Sequence, residues 1–163
     1  MQVYDFNDLE GIRIAVEMER RGRDFYDAAA RVAKSEQMRE MLRKLKAEEV
    51  VHMKQFGRLH EREQENAAAA RPYSRETSAF LTALAADIVF SDGLVAVGVK
   101  GGFEDPAVML QAAIESEQDS IDFYSTMERE ADNEHAKEIF REIIAQEQSH
   151  QERLRAQLKK FTD

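Results

Sequence analysis

The sequence contains no cysteine. This excludes disulfides, zinc–thiolate sites, iron–sulfur clusters and a cysteine nucleophile. A transition metal would have to be held by histidine and carboxylate side chains, a donor set that suits iron, manganese and zinc. The lack of cysteine also fits a reducing compartment, and the acidic segment 1–10 has no apolar run typical of a secretory signal. A cytoplasmic location is therefore expected.

Proline and glycine are scarce, with 2 and 7 residues in a chain of 163. Apolar residues make up 43% and charged residues 34%, a mixture that favours long amphipathic helices over a sheet. The length predicts one domain over residues 1–163. A net charge of −9 argues against a nucleic-acid or anionic-membrane partner. The most apolar segment, 78–99, is interrupted by Asp87, Asp92 and Gly93, so no bilayer-spanning helix is expected.

The two halves of the chain resemble each other. A shift of 98 positions aligns residues 15–52 with residues 113–150 without a gap, and 14 of these 38 positions are identical. The identities include Asp24-Phe25-Tyr26, which falls on Asp122-Phe123-Tyr124, and His52, which falls on His150. Shared helix composition would not align these residue types so closely, so a duplicated helical hairpin is the simpler explanation.

Each half shows the apolar spacing of two amphipathic helices joined by a short turn, which predicts two antiparallel hairpins at 8–65 and 105–161. Apolar residues expected on the inner faces include Val32 on the first helix and Val51 on the second. The four expected helices run from about Asp8 to Lys34, from a cap at Ser35 to about Glu65, from about Pro106 after a cap at Asp105 to Ala131, and from a cap at Asn133 to about Lys160.

The hairpins are joined by a segment, 66–104, that is much longer than a usual turn between helices. Residues 78–90 are apolar and predict a short extra helix, and a second apolar run covers Leu94–Val99. A long crossover between two hairpins is typical of the ferritin-like four-helix bundle, which is the fold predicted for this chain. The crossover could pack on its own bundle or act as a swapped, dimer-forming element, and a homodimer is expected.

Two short motifs carry the chemistry. Each half contains Glu-x-x-His on its second helix, as Glu49-Val-Val-His52 and Glu147-Gln-Ser-His150. Residues three apart project from nearly the same side of a helix, so the carboxylate and imidazole could hold one ion together. Leu45, Glu49, His52 and Phe56 are separated by four, three and four residues, the spacing of one inward-facing stripe. Buried charges on such a stripe need a partner.

A glutamate on the first helix of each half completes the set. Glu19 and Glu117 are related by the same shift. Four carboxylates would balance the charge of two divalent ions, so the pattern predicts a dinuclear metal site with bridging and terminal glutamates. Tyr26 and Tyr124 follow these glutamates by about two turns and are the candidate catalytic residues. They would either assist the site, through a hydrogen bond or as redox-active phenols, or serve as core tyrosines. The six predicted metal ligands are Glu19, Glu49, His52, Glu117, Glu147 and His150.

The segments Ala15-Val-Glu-Met-Glu19, with Asp24-Phe-Tyr26, and Ala47-Glu-Glu-Val-Val-His52 resemble the rubrerythrin family of the ferritin-like superfamily. The resemblance covers the four bundle helices but not the crossover, and it implies a di-iron centre held by the six ligands. Two features differ from the family. Rubrerythrins carry a C-terminal rubredoxin domain with four cysteines, which this sequence lacks. They also carry an extra glutamate one turn after the third-helix ligand, where this chain has Ser120.

Three functions remain open from the sequence. The first is a di-iron oxidoreductase that reduces peroxide or dioxygen with electrons from a separate donor protein. The second is iron handling, as a ferroxidase or iron store, or another di-metal site with manganese or zinc. No fifth helix follows the fourth, so a large ferritin cage is not expected. The third is a structural role in which the metal only stabilises the bundle and the apolar crossover binds a partner.

Overall fold

The computed structural model describes residues 6–65, 70–86 and 103–162. Within these ranges the chain forms five helices and no strand, which confirms the all-α prediction. No helix among them is long and apolar enough to cross a membrane. The helices are α1 (Asp8–Val32), α2 (Glu36–Gln64), α3 (Arg75–Ala85), α4 (Pro106–Glu130) and α5 (Glu134–Thr162).

Polar side chains cap the helices where the sequence predicts it. Ser35 Oγ accepts a hydrogen bond from the Met38 amide at 3.1 Å and opens α2. Asp105 accepts from the Ala107 amide at 3.0 Å and opens α4. Asn133 Oδ1 accepts from two amides of the first turn of α5, at 2.9 and 3.2 Å. The three predicted caps are confirmed. Asn7, which was not predicted, caps α1 in the same way.

Only three residues separate α1 from α2 and α4 from α5. Turns this short allow only antiparallel neighbours, so each half is a helical hairpin. The two hairpins meet where α1 contacts α4 and where α2 contacts α5. This is the arrangement of a four-helix bundle of the ferritin-like kind, as predicted.

The core consists of two apolar clusters, one toward each end of the bundle. The first cluster contains Phe6, Ile12, Phe56, Tyr124 and Phe140, and the second contains Phe25, Tyr26, Leu42, Leu110 and Leu154. On each long helix, residues of one cluster precede the predicted ligands and residues of the other follow them. The ligands therefore lie in a band between two apolar layers.

The crossover helix α3 packs on this bundle. It buries Leu81 and Ala85 in the first apolar cluster and contacts α4. Ser74 caps the helix, which therefore begins at Arg75, before the apolar run that predicted it. The second apolar run, Leu94–Val99, lies outside the described residues.

Two apolar residues expected on the inner faces are exposed. The exposed fraction is 50% for Val32 and 52% for Val51. At about 100° per residue, Val51 lies roughly 130° around α2 from the middle of the buried stripe of Leu45, Glu49, His52 and Phe56, so it faces away from the core. Val32 is the last residue of α1, next to the turn into α2.

Candidate metal centre

All six predicted ligands lie together in the buried band between the apolar clusters. Each of them is at most 5% exposed. One glutamate comes from α1, one from α4, and a glutamate–histidine pair from each of α2 and α5. The inward stripe predicted from the 4-3-4 spacing on α2 is confirmed, because Leu45, Glu49, His52 and Phe56 are all buried.

The ligands form two groups of four that share two members. Glu49 and Glu147 belong to both groups. The first group adds Glu19 and His52, and the second adds Glu117 and His150. Within each group, one possible ligand atom from every residue lies within 4.8 Å of the others. Two shared carboxylates flanked by two sets of terminal residues are an arrangement that fits a pair of adjacent ions.

Each histidine directs its Nδ1 atom toward the carboxylates. Nδ1 of His52 lies 2.9 Å from Oε1 of Glu147 and 3.2 Å from Oε2 of Glu19. Nδ1 of His150 lies 2.9 Å from Oε2 of Glu147 and 3.2 Å from Oε1 of Glu49. Glu147 thus presents one oxygen to each ring. The two rings are nearly parallel, with centroids 5.5 Å apart and an angle of 15° between their planes.

Both candidate tyrosines reach across the bundle to the opposite repeat. The Tyr26 hydroxyl donates a hydrogen bond to Oε1 of Glu117, and the Tyr124 hydroxyl donates to Oε1 of Glu19. The shift of 98 positions relates these two contacts. The tyrosines therefore hold the terminal glutamates, while their rings remain in the apolar clusters.

The other ring nitrogen of each histidine contacts the neighbouring Glu-x-x-His helix. Nε2 of His52 donates to the side-chain carbonyl of Gln146 at 2.6 Å. Nε2 of His150 lies 2.7 Å from Oε2 of Glu48, a close charge contact without the alignment of a regular hydrogen bond. A proton on Nε2 leaves the lone pair of a neutral imidazole on Nδ1, the atom that faces the carboxylates.

Without a metal ion, this many buried carboxylates perturb one another strongly. Burial and the charge of Glu147 raise the pKa of Glu117 to about 8. Burial, with Glu147 and Glu19 nearby, also raises the pKa of Glu49. Burial acts to raise the pKa of Glu147 as well, but contacts with His150 and His52 outweigh it and lower that pKa. The cluster thus retains protons when no other cation balances its charge.

The aromatic and imidazole groups respond to the same charges. Burial would lower the pKa of His52 and of His150, but the surrounding carboxylates outweigh it and raise both. Burial raises the pKa of Tyr26 and Tyr124, and the adjacent carboxylates raise these values further. The phenols therefore remain protonated donors at neutral pH.

A divalent ion fits the electrostatics of the site better than protons alone. Both carboxylate oxygens of Glu147 and the Nδ1 of His150 are buried and make no hydrogen bond to any described residue. Buried polar atoms without hydrogen bonds are costly, and the 2.9 Å contacts of the Glu147 oxygens with the two histidines lack hydrogen-bond alignment. These atoms belong to residues of the two four-residue groups. Oxygen and imidazole nitrogen donors suit iron, manganese and zinc. The buried carboxylate–histidine cluster fits a metal site.

A cavity of about 20 Å³ adjoins the site between α1 and α4. Its lining includes Glu19, Glu49, Glu117 and the Tyr26 ring, together with Gly22 and Ser120, which occupy equivalent positions in the two repeats. A Cβ atom at Gly22 would lie 3.4 Å from the carboxyl carbon of Glu49. The volume is about that of one water molecule, so only very small molecules would fit beside the carboxylates.

Sequence reasoning missed the residues that contact the outer faces of the histidines. Glu48 and Gln146 each precede a motif glutamate and are related by the shift of 98 positions. Their equivalent positions next to the motif glutamates could have pointed to them. The residue types differ between the repeats, however, so the aligned halves show no identity at this position. Only packing of α2 against α5 shows that each reaches the histidine of the opposite helix.

The second hairpin also matches a known family. Residues 109–163 match the rubrerythrin family model. The match covers most of α4 and all of the described α5, including Glu117, Glu147 and His150, and confirms the rubrerythrin resemblance for this part of the chain. The first hairpin carries the equivalent residues through the repeat. No curated protein and no solved structure gives a significant match to the chain.

Proposed function

We propose that the protein binds two iron ions in the buried cluster and uses them to reduce peroxide or dioxygen. The proposal rests on one observation above the others, the two four-residue groups that share Glu49 and Glu147. Each group would hold one ion, and the shared carboxylates would bridge the pair. Four ionised glutamates then balance two divalent ions, which removes the cost of burying uncompensated charge.

Two ferrous ions held by these residues would supply one electron each, enough to convert hydrogen peroxide and two protons into two molecules of water. The chain's own residues create the setting for this reaction. The apolar clusters on either side exclude water, and the hydroxyls of Tyr26 and Tyr124 hold the terminal glutamates. The small cavity beside Glu19 and Glu117 favours an oxidant the size of peroxide or dioxygen over an organic substrate.

The electrons would come from a separate donor protein. These 163 residues contain no cysteine, so they cannot form the thiolate site of an iron–sulfur or rubredoxin-type centre. A reduced carrier would have to restore the ferrous state after each cycle. Manganese or zinc could occupy the same oxygen and nitrogen ligands, and zinc would support no redox chemistry.

Iron handling is the second candidate function, and Ser120 favours it. Ser120 lines the cavity at the position where the rubrerythrin resemblance places an additional glutamate. A hydroxyl offers no negative charge to an oxidised ion on that side. In this alternative the centre would oxidise ferrous iron and pass it on, without sustained turnover of peroxide.

A single-turnover experiment separates the two. Metal-free protein is loaded with two equivalents of ferrous iron without oxygen and then mixed with peroxide or with air-saturated buffer, while the absorption of the ferric centre is recorded. We expect oxidation by peroxide to be faster, and the iron to stay bound and to be reducible again. Oxidation that is as fast with dioxygen, followed by release of ferric iron, would favour iron handling.

The ligand assignment has its own control. The double variant Glu49→Ala/Glu147→Ala removes both shared carboxylates and should bind no iron. The matched variant Glu40→Ala/Glu138→Ala changes two exposed glutamates that are related by the same shift, and should bind two ions. If the first variant still binds two irons, the ligands have been assigned wrongly.

A further inference from the structure

The near two-fold repeat makes it possible to see where the two halves of the centre differ. The ligands are identical in type, and so are the tyrosines that hold them. The first difference lies at the outer face of the histidines. Gln146 contacts His52, whereas its counterpart Glu48 contacts His150. One imidazole therefore faces a neutral amide and the other a carboxylate, at nearly the same distance of 2.6 and 2.7 Å.

The two halves also differ in the residue that lies behind this position. The Arg153 guanidinium donates to the same Glu48 oxygen that faces His150, which holds this carboxylate in place behind the ring. The counterpart of Arg153 in the first repeat is Gln55. Its side-chain carbonyl is buried and makes no hydrogen bond to a described residue. One half thus has a histidine–carboxylate–guanidinium series, and the other has only amides.

A carboxylate behind a ligating histidine makes the imidazole a more basic ligand than an amide does. Arg153 and Glu48 carry opposite charges, so their effect on a distant ion largely cancels. The effect that remains acts through the direct contact between Glu48 and the His150 ring. Partners of this kind change metal affinity by about 10- to 100-fold. That is large enough to decide which half of a paired site is filled first.

We propose that Glu48 is a positioning residue that makes the two halves of the metal centre unequal, so that the half containing Glu117 and His150 takes up the first ion and holds it more tightly. The inference rests on the proposed dinuclear site. In the competing explanation, Glu48 is only an ion pair with Arg153 that joins α2 to α5, and both halves bind metal equally.

The test compares the halves separately, with cobalt(II) as the probe because its visible absorption reports the ligands. His52→Ala leaves the His150 half, and His150→Ala leaves the His52 half. We expect the His52→Ala protein to bind one cobalt ion about 10- to 100-fold more tightly than the His150→Ala protein. Adding Glu48→Gln should remove this advantage in the His52→Ala protein and leave the His150→Ala protein unchanged.

Three further measurements keep the test decisive. Glu40→Gln, which removes an exposed glutamate paired with Lys44 on the same helix, should change neither affinity. If a half-site variant does not fold, stepwise titration of the protein with both histidines replaces it. Two separate steps are then expected, and Glu48→Gln should merge them. Urea unfolding of the metal-free proteins reports any effect on the α2–α5 contact.

The outcomes distinguish this inference from the proposed function. Uptake of two cobalt ions with equal affinity, or tighter binding by the His52 half, would overturn the inference and leave the dinuclear site intact. An equal loss in both halves on Glu48→Gln would also overturn it and favour a purely structural ion pair. Failure of the unaltered protein to bind cobalt would refute both proposals.

Discussion

Glu147 faces the candidate ligands of both halves of the cluster. Each of its carboxylate oxygens lies 2.9 Å from the Nδ1 atom of a different histidine. Glu19 and Glu117, in contrast, each belong to one group only and accept a hydrogen bond from a tyrosine. The same residue type therefore has two roles here, and position in the bundle decides which.

This division predicts different metal stoichiometries. Glu147→Gln removes a charge from both groups and should lower the amount of bound metal from two ions to fewer than one per chain. Glu19→Gln removes a charge from one group and should leave about one ion. Elemental analysis after gel filtration measures both. Equal losses from the two variants would contradict the shared role of Glu147.

The tyrosine hydroxyls give a second prediction at this scale. Tyr26→Phe removes the hydroxyl group that donates a hydrogen bond to Glu117 inside the buried site. Leaving a buried carboxyl group without a hydrogen-bond donor costs about 1–3 kcal/mol. We expect Tyr26→Phe and the repeat-related Tyr124→Phe to lower the free energy of unfolding of the metal-free protein by similar amounts, as measured in urea with chelator. A loss confined to one of them would show that the halves differ in this contact too.

At the scale of the helices, the crossover helix α3 packs on the bundle with one side and exposes the other. One side of α3 enters the first apolar cluster through Leu81, which is fully buried. Its neighbour Phe80 points outward and is 48% exposed. The two residues are adjacent in sequence, and the helix places them in different surroundings.

Leu81→Ala should therefore destabilise the protein, while Phe80→Ala should not. Truncation of a fully buried leucine costs about 2–5 kcal/mol, because it leaves a cavity. An exposed residue typically changes stability by about 0.5 kcal/mol or less. Urea unfolding measures both values. Similar effects from the two substitutions would mean that α3 does not pack on the bundle as described.

The helix ends show how local signals act at this scale. Ser35, Asp105 and Asn133 were predictable as caps, because each offers an oxygen to unpaired amides of the first turn. The exposure of Val32 and Val51 was not predicted. Apolar character alone had suggested an inward position for both, whereas the helical spacing relative to the stripe that contains His52 places Val51 on the outer side of α2.

At the scale of the whole molecule, the repeat exchanges the two ends of the bundle. The shift of 98 positions carries Tyr26 of the second apolar cluster onto Tyr124 of the first, and Phe56 of the first onto Leu154 of the second. Two apolar layers thus enclose the charged band from opposite sides. Neither hairpin could enclose the band alone, because each provides only half of the ligands.

Enclosing the charges makes the stability of the metal-free protein depend on pH. Glu117 has a folded-state pKa of about 8, above its usual value, and the pKa values of His52 and His150 are also raised. The folded protein therefore holds more protons than the unfolded chain above the unfolded histidine pKa of about 6.5. The stabilisation that comes from protonating these groups is complete below their unfolded-state pKa values. It is lost as the pH rises toward their folded-state pKa values.

The free energy of unfolding of the metal-free protein should thus fall between about pH 6.5 and 8, by roughly 1.4 kcal/mol per pH unit for each extra proton held. Urea unfolding in chelator measures the slope. Surface carboxyls such as Glu17 and Asp27 have lowered pKa values and do not titrate in this range. Bound metal should remove the trend, since it replaces the protons. A slope that is flat or rising without metal would disprove the description of the charged band.

Local patterns in the sequence were sufficient to predict which side chains form the buried carboxylate–histidine cluster. The Glu-x-x-His spacing, the 4-3-4 stripe and the repeat together predict which side chains face inward, because helical periodicity is a short-range property. The apolar spacing and the caps also predict the ends of the four bundle helices to within about two residues. The apolar composition of the crossover predicted that it contains a short helix. It did not predict that this helix packs against α4.

The sequence by itself determined the helices, the caps and the six candidate ligands, since each depends on short patterns of neighbouring residues, and comparison of the two halves of the sequence determined the repeat. Only the tertiary structure decided that Glu49 and Glu147 are the shared pair and that each tyrosine holds the glutamate of the opposite repeat. It alone placed Glu48 behind His150. These contacts join residues some 90 to 105 positions apart, and their distances are set by how the two hairpins pack, which no local pattern encodes.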